Sequence, residues 1–73
     1  MSFEKFFQNS FKDFLEEKFP RDATAAAFFE VREKTVENWR AGVNSPSGRH
    51  LARALNDDEL RPALIRHLTG VAA

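Results

Sequence analysis

Apolar residues recur along this chain at the three- and four-residue steps of a helix, in short runs broken by proline, glycine and clusters of capping residues. The first run, Phe3, Phe7, Phe11, Phe14 and Leu15, predicts a helix over about residues 3–19. Ser2 is placed to cap it, and Pro20 ends it because the residue before a proline avoids helical backbone. Phe6 and Phe19 widen the stripe beyond what one neighbouring face usually needs, which fits either a wide core stripe or a face partly covered by another chain. A second helix, with Asp22 as its cap, runs through Ala23-Thr24-Ala25-Ala26-Ala27-Phe28-Phe29, where small side chains permit close helix approach. Beyond Glu30-Val31-Arg32, Val36 and Trp39 share one face of a third helix over about 33–41, and Gly42 stops it.

After the loop Val43-Asn44-Ser45-Pro46, Ser47 caps a fourth helix whose Leu51, Ala52 and Leu55 are expected to face inward, with Ser45 and Pro46 as an alternative start. Asn56-Asp57-Asp58 then supplies caps for a fifth helix over about 59–68, with Leu60, Leu64, Ile65 and Leu68 buried, Pro62 tolerated near its first turn and Gly70 at its end. No stretch alternates as a strand, and no repeat or linker interrupts the pattern. The expectation is an all-α fold: one domain over 1–73, a compact bundle of about five short helices with a helix-turn-helix at about 22–41.

Seventy-three residues hold one core and leave no room for a deep catalytic cleft, and eight phenylalanines supply much of the area that core needs. Without cysteine, disulfides, thiolate metal sites and thiol nucleophiles are excluded. No run approaches the roughly 20 apolar residues of a membrane span, and the first residues lack a signal peptide's charge order, so a cytoplasmic protein is expected. Eleven basic and eleven acidic side chains cancel, which argues against a non-specific nucleic-acid coat. The balance hides an uneven distribution, however. Between Arg32 and Arg53 five basic residues (Arg32, Lys34, Arg40, Arg49, Arg53) face two acidic ones (Glu33, Glu37), and a polyanion would be met there.

With Val36 and Trp39 turned inward, the outer face of the third helix carries Lys34, Glu37, Asn38 and Ala41, with Arg32 and Glu33 at its leading end. Asparagine can pair with adenine, glutamate can accept from cytosine, and arginine or lysine can reach guanine acceptors, so this surface has the chemistry to read bases. The second and third helices also meet the requirements of a helix-turn-helix: small residues at their crossing, Val31 to bury the turn, and Val36 with Trp39 to anchor the second member.

The run Lys34-Thr35-Val36-Glu37-Asn38-Trp39-Arg40-Ala41-Gly42, followed by Ser45-Pro46-Ser47-Gly48-Arg49-His50-Leu51, resembles the T-V-x-N-W-x-x-G … P-S signature of the phage-repressor and Cro-like helix-turn-helix family, over Asp22 to about Leu55. The resemblance implies a lambda-repressor-like bundle that binds double-stranded DNA. It places Arg32, Glu33, Lys34, Glu37 and Asn38 at bases, and Ser47, Gly48, Arg49 and also Asn44 or His50 at phosphates. Two positions depart from the family. Glu30 stands where a turn glycine is usual, so the turn must avoid positive φ or accept strain. Asp22 stands where a neutral donor is usual and would repel a phosphate unless it turns away to cap its helix, leaving Thr24 or Arg21 to make that contact.

Other constellations carry less. Trp39 beside Val36 reads as a core anchor, and His50 and His67 lie on different helices without the companions a metal site needs. Asp57-Asp58-Glu59 reads as helix capping, with no nucleophile or phosphate loop beside it, so neither catalysis, a cofactor nor a small-molecule substrate is expected. Glu16-Glu17-Lys18 reads as a solvated helix end whose acidity leaves the first helix free for a partner, either a second copy or a small partner subunit. The expected function is a sequence-specific transcriptional regulator. The rival is a protein-interaction module using the same scaffold and the Phe-rich helix to bind another regulator or a polymerase subunit.

Overall fold

A computed structural model describes residues 2–70 as five α-helices with no strand: α1 (Phe3–Lys18), α2 (Asp22–Phe29), α3 (Glu33–Ala41), α4 (Gly48–Leu55) and α5 (Leu60–Thr69). The all-helical expectation is met, with boundaries within one or two residues of those the hydrophobic pattern implies. Central to the packing is α1, which lies against α5 and α3, while α2 packs on α3 and α4 on α5. No helix among the described residues is long and apolar enough to cross a membrane.

At the start of α1 the Ser2 hydroxyl accepts the Lys5 N–H at 3.2 Å, satisfying one of the donors a helix leaves open. Phe11, Phe14 and Leu15 are almost wholly buried, whereas Phe3 is 78% exposed. Phe19, one of the two residues that widen the stripe, belongs to the core. Pro20 keeps it out of helical backbone, and its ring folds back against Phe14, Phe28 and Phe29.

Asp22 does not cap α2. Arg21 holds the cap position without a side-chain bond, and the Asp22 carboxylate accepts from Arg40 Nε at 2.6 Å. Arg40 also donates to the Phe19 carbonyl, so one guanidinium joins the end of α1, the start of α2 and the last turn of α3. Ala25 and Ala26 are buried on the side of α2 that carries Phe29. There Phe29 meets the Trp39 ring edge-on at 5.4 Å, and Trp39 in turn meets Phe11 at 5.6 Å. Val36 and Trp39 are both buried, as expected.

Two expected inward faces are corrected. In α4, Ala54 is the fully buried residue and Leu51 is half-buried, while Ala52 and Leu55 are exposed. The helix is turned so that His50, Leu51 and Ala54 form its inner row, because the His50 ring fills the space beside Trp39 and Phe29, at 5.2 and 6.3 Å. In α5 the inner row is Leu60, Ala63 and Leu64, continued by the half-buried His67 and Leu68, and Ile65 falls outside it at 39% exposure. Asp57 caps α5, its Oδ1 accepting the Glu59 and Leu60 N–H groups at 2.9 and 3.0 Å. The far end of α5 is tied to α1 by Glu17, which binds Arg66 and lies 2.7 Å from His67 Nε2.

Candidate nucleic-acid interface

Residues 30–32 join α2 to α3 through a left-handed turn. Glu30 has φ 57° and ψ 47°, the one positive φ outside glycine among the described residues, so the chain accepts the strain that a glycine would have removed. Val31 N–H closes the turn onto the Ala26 carbonyl at 3.0 Å, and the Val31 side chain packs against the core. From the other side, Arg53 of α4 reaches over the Phe28 ring, donates to the Phe28 carbonyl and lies 3.3 Å from the Glu30 carboxylate.

At the start of α3 the Arg32 carbonyl accepts the Thr35 and Val36 N–H groups, so the helix begins with Arg32, Glu33 and Lys34 in its first turn and all three side chains exposed. Glu37 is exposed one turn further on, and Asn38 is half-buried beside Trp39. Of the five residues expected to meet bases, Lys34 and Glu37 are exposed on α3 away from Val36 and Trp39, Arg32 and Glu33 are exposed at its leading end, and Asn38 is only partly accessible. None of Arg32, Glu33, Lys34 or Glu37 has an ionic partner among the described residues, so their polar ends are available to a ligand.

The residues expected to meet phosphates sit on three elements. Thr24 is exposed in the first turn of α2, Asn44 is exposed in the loop after α3, and Ser47, Gly48 and Arg49 open α4. Glu30 of the turn and Arg49 of α4 line one open cleft together with Phe28, Phe29, His50 and Arg53, so the turn before α3 and the start of α4 are neighbours. Ser47 and His50 are occupied with each other: His50 Nδ1 accepts the Ser47 N–H at 3.3 Å and lies 3.0 Å from its hydroxyl. That acceptor role puts the proton of neutral His50 on Nε2, which is buried and has no partner. Burial, helped by the charge of neighbouring Arg49, pushes the His50 pKa below its usual 6.5. His50 thus organises the start of α4 from the inside, and its ring does not project toward an external anion.

What remains open at α4 is the pair of Gly48 and Arg49 N–H groups, which find no acceptor among the described residues, and the unpaired Arg49 side chain. Gly48 has ordinary backbone, and a Cβ built on it meets nothing within 4 Å. Nothing inside the fold requires a glycine there.

The pairing of charges around this surface is selective. Lys12, Lys18, Arg40, Arg53, Arg61 and Arg66 each face a carboxylate. Of the five basic side chains without one among the described residues, Arg21, Arg32, Lys34 and Arg49 stand at the starts of α2, α3 and α4, and Lys5 stands apart on α1. Arg40 and Arg53, included in the basic cluster read from the sequence, are spent within the fold. Charge alternation along the sequence does not distinguish these two groups, because the partner of Arg40 is brought to it only by the fold. Among the described residues no three His, Asp or Glu side chains converge as a metal site. Compared with protein-family models, with curated proteins and with solved structures, the chain matches none.

Proposed function

We propose that this protein is a sequence-specific, DNA-binding transcriptional regulator that lays α3 in the major groove, working in the cytoplasm at the nucleoid. The observation that carries the reading is the distribution of unpaired cations. A chain with no net charge leaves, of the five basic side chains without a carboxylate partner among the described residues, four at the leading ends of three successive helices, where helix dipoles also favour an anion. In this reading Arg49, Thr24, Asn44 and the Gly48 and Arg49 N–H groups hold phosphates and set the register of α3, with Arg21 beside them. Asn38 then faces adenine, Arg32 and Lys34 face guanine, and Glu33 and Glu37 accept from cytosine. The two glutamates penalise wrong bases and suppress indiscriminate binding.

One helix of this size contacts few base pairs, so useful affinity calls for a second reading unit. The test is selection of bound sequences from random double-stranded DNA, followed by titration of the recovered site at several salt concentrations. The expected result is a recovered motif whose affinity falls steeply with salt and is lost on combined Lys34→Ala and Asn38→Ala substitution. Absence of DNA binding at low salt, or binding unchanged by the double substitution, overturns the proposal in favour of a protein-interaction module.

A further inference from the structure

On the side of α1 that faces away from the bundle, Lys5, Asn9 and Asp13 are all exposed and follow one another at four-residue steps, which makes them a single ridge of the helix. Neither the Lys5 ammonium nor the Asp13 carboxylate has a partner among the described residues, and the Asn9 amide has none either; the one Lys5 bond uses its backbone N–H. This contrasts with the second half of the same helix, where Lys12 pairs with Glu16, and Glu17 pairs with Lys18 and Arg66. Beside the open ridge lie Phe3, 78% exposed, and Phe6, 37% exposed, with ring centroids 6.1 Å apart.

We infer that this ridge docks on the same ridge of a second copy of the chain, antiparallel and centred on Asn9. Lys5 and Asp13 are each four residues from Asn9, about 6 Å along the axis in either direction. A two-fold axis through Asn9 therefore brings Lys5 of each copy opposite Asp13 of the other, sets the two Asn9 amides face to face and lets the Phe3 and Phe6 rings cover the joint. The surface is its own charge complement, which a two-fold contact requires and a foreign partner does not. The antiparallel sense also opposes the two helix dipoles favourably. The inference deepens the DNA-binding reading, which needs a second unit, but the docking itself involves no DNA residue.

The experiment is sedimentation equilibrium of the purified chain without DNA, over micromolar to millimolar concentration. Wild-type protein is expected to dimerise reversibly. Lys5→Asp and Asp13→Lys, each placing like charges opposite one another twice, are expected to weaken the dimer by about tenfold or more. The double exchange Lys5→Asp/Asp13→Lys restores it, and an equimolar mixture of the two single variants associates where each alone does not. All the altered side chains are exposed and unbonded, so helical circular dichroism remains that of wild type. A monomer throughout the range overturns the inference, as does a dimer indifferent to the single charge reversals. A dimer that binds no DNA leaves this interface standing and removes the DNA-binding reading; a monomer that binds DNA does the reverse.

Discussion

Arg40 Nε lies 2.6 Å from Asp22 Oδ1, joining the last turn of α3 to the first residue of α2 across eighteen positions of sequence. Both side chains are largely shielded, 20% and 31% exposed, so the pair contributes more than a surface ion pair. Replacing either partner should destabilise the fold by about 1–2 kcal/mol in urea unfolding, and a double-mutant cycle should return a favourable coupling. The two replacements part company in DNA binding. Arg40→Met frees a carboxylate at the start of α2, where a phosphate is proposed to sit, whereas Asp22→Asn removes that charge. Arg40→Met is therefore expected to weaken DNA binding more than Asp22→Asn, and equal effects would show that Asp22 does not face the DNA.

Glu30 offers a gain. Its φ of 57° costs a non-glycine residue about 1–2 kcal/mol, and the bond it would lose, to Arg53 at 3.3 Å with the glutamate side chain 74% exposed, is worth little. Glu30→Gly should raise stability by about 1 kcal/mol, a rise of about 4–8 °C in Tm for a domain of this size. A lowered Tm would show that the Arg53 contact, and not backbone strain, governs the turn.

The contrast between these two residues shows which parts of the structure were legible beforehand. Helix ends were, because Ser2, Pro20, Gly42 and Gly70 act through local backbone chemistry that does not depend on what packs nearby. The α3 faces were also legible, since Val36 and Trp39 admit one orientation and expose Arg32, Lys34 and Glu37. The register of α4 was not, because His50 counts as polar in any periodicity and yet is the ring that fills the gap beside Trp39. Nor could a pattern tell a free arginine from a spent one: Arg40 and Arg49 read alike until the fold brings Asp22 to the first and nothing to the second.

Acid should lower the stability of the fold over two separate pH ranges. The His50 pKa is lowered in the folded state by burial and by Arg49, so the unfolded chain takes up this proton first as pH falls. The stability linked to His50 is complete above 6.5 and declines below it. Glu17, held by its hydrogen bonds to Arg66 and then His67, has its pKa lowered from 4.5 to about 2, so its share is present above 4.5 and lost between there and about 2. Urea midpoints measured across pH should show both declines. His50→Phe, which keeps a ring against Trp39, should remove the first, and Glu17→Gln should flatten the second. Retention of the upper decline in His50→Phe would assign it to another group.

Gly48 separates folding from binding most cleanly. It is the first residue of α4, its backbone is ordinary, and a Cβ there meets no atom within 4 Å, so alanine fits without strain. Because glycine in a helix is less favourable than alanine by about 0.5–1 kcal/mol, Gly48→Ala should leave the fold intact and make it slightly more stable. Its N–H is proposed to face a phosphate, and a methyl group beside that N–H keeps the phosphate at a distance. DNA affinity should therefore fall about tenfold while Tm holds or rises, measured by titration of the selected site beside thermal unfolding. A variant that is more stable and binds DNA undiminished would show that no backbone phosphate contact is made at the start of α4. Phosphate anchoring at α4 would then rest on the Arg49 side chain, and Arg49→Ala in the same assay should weaken binding where Gly48→Ala does not.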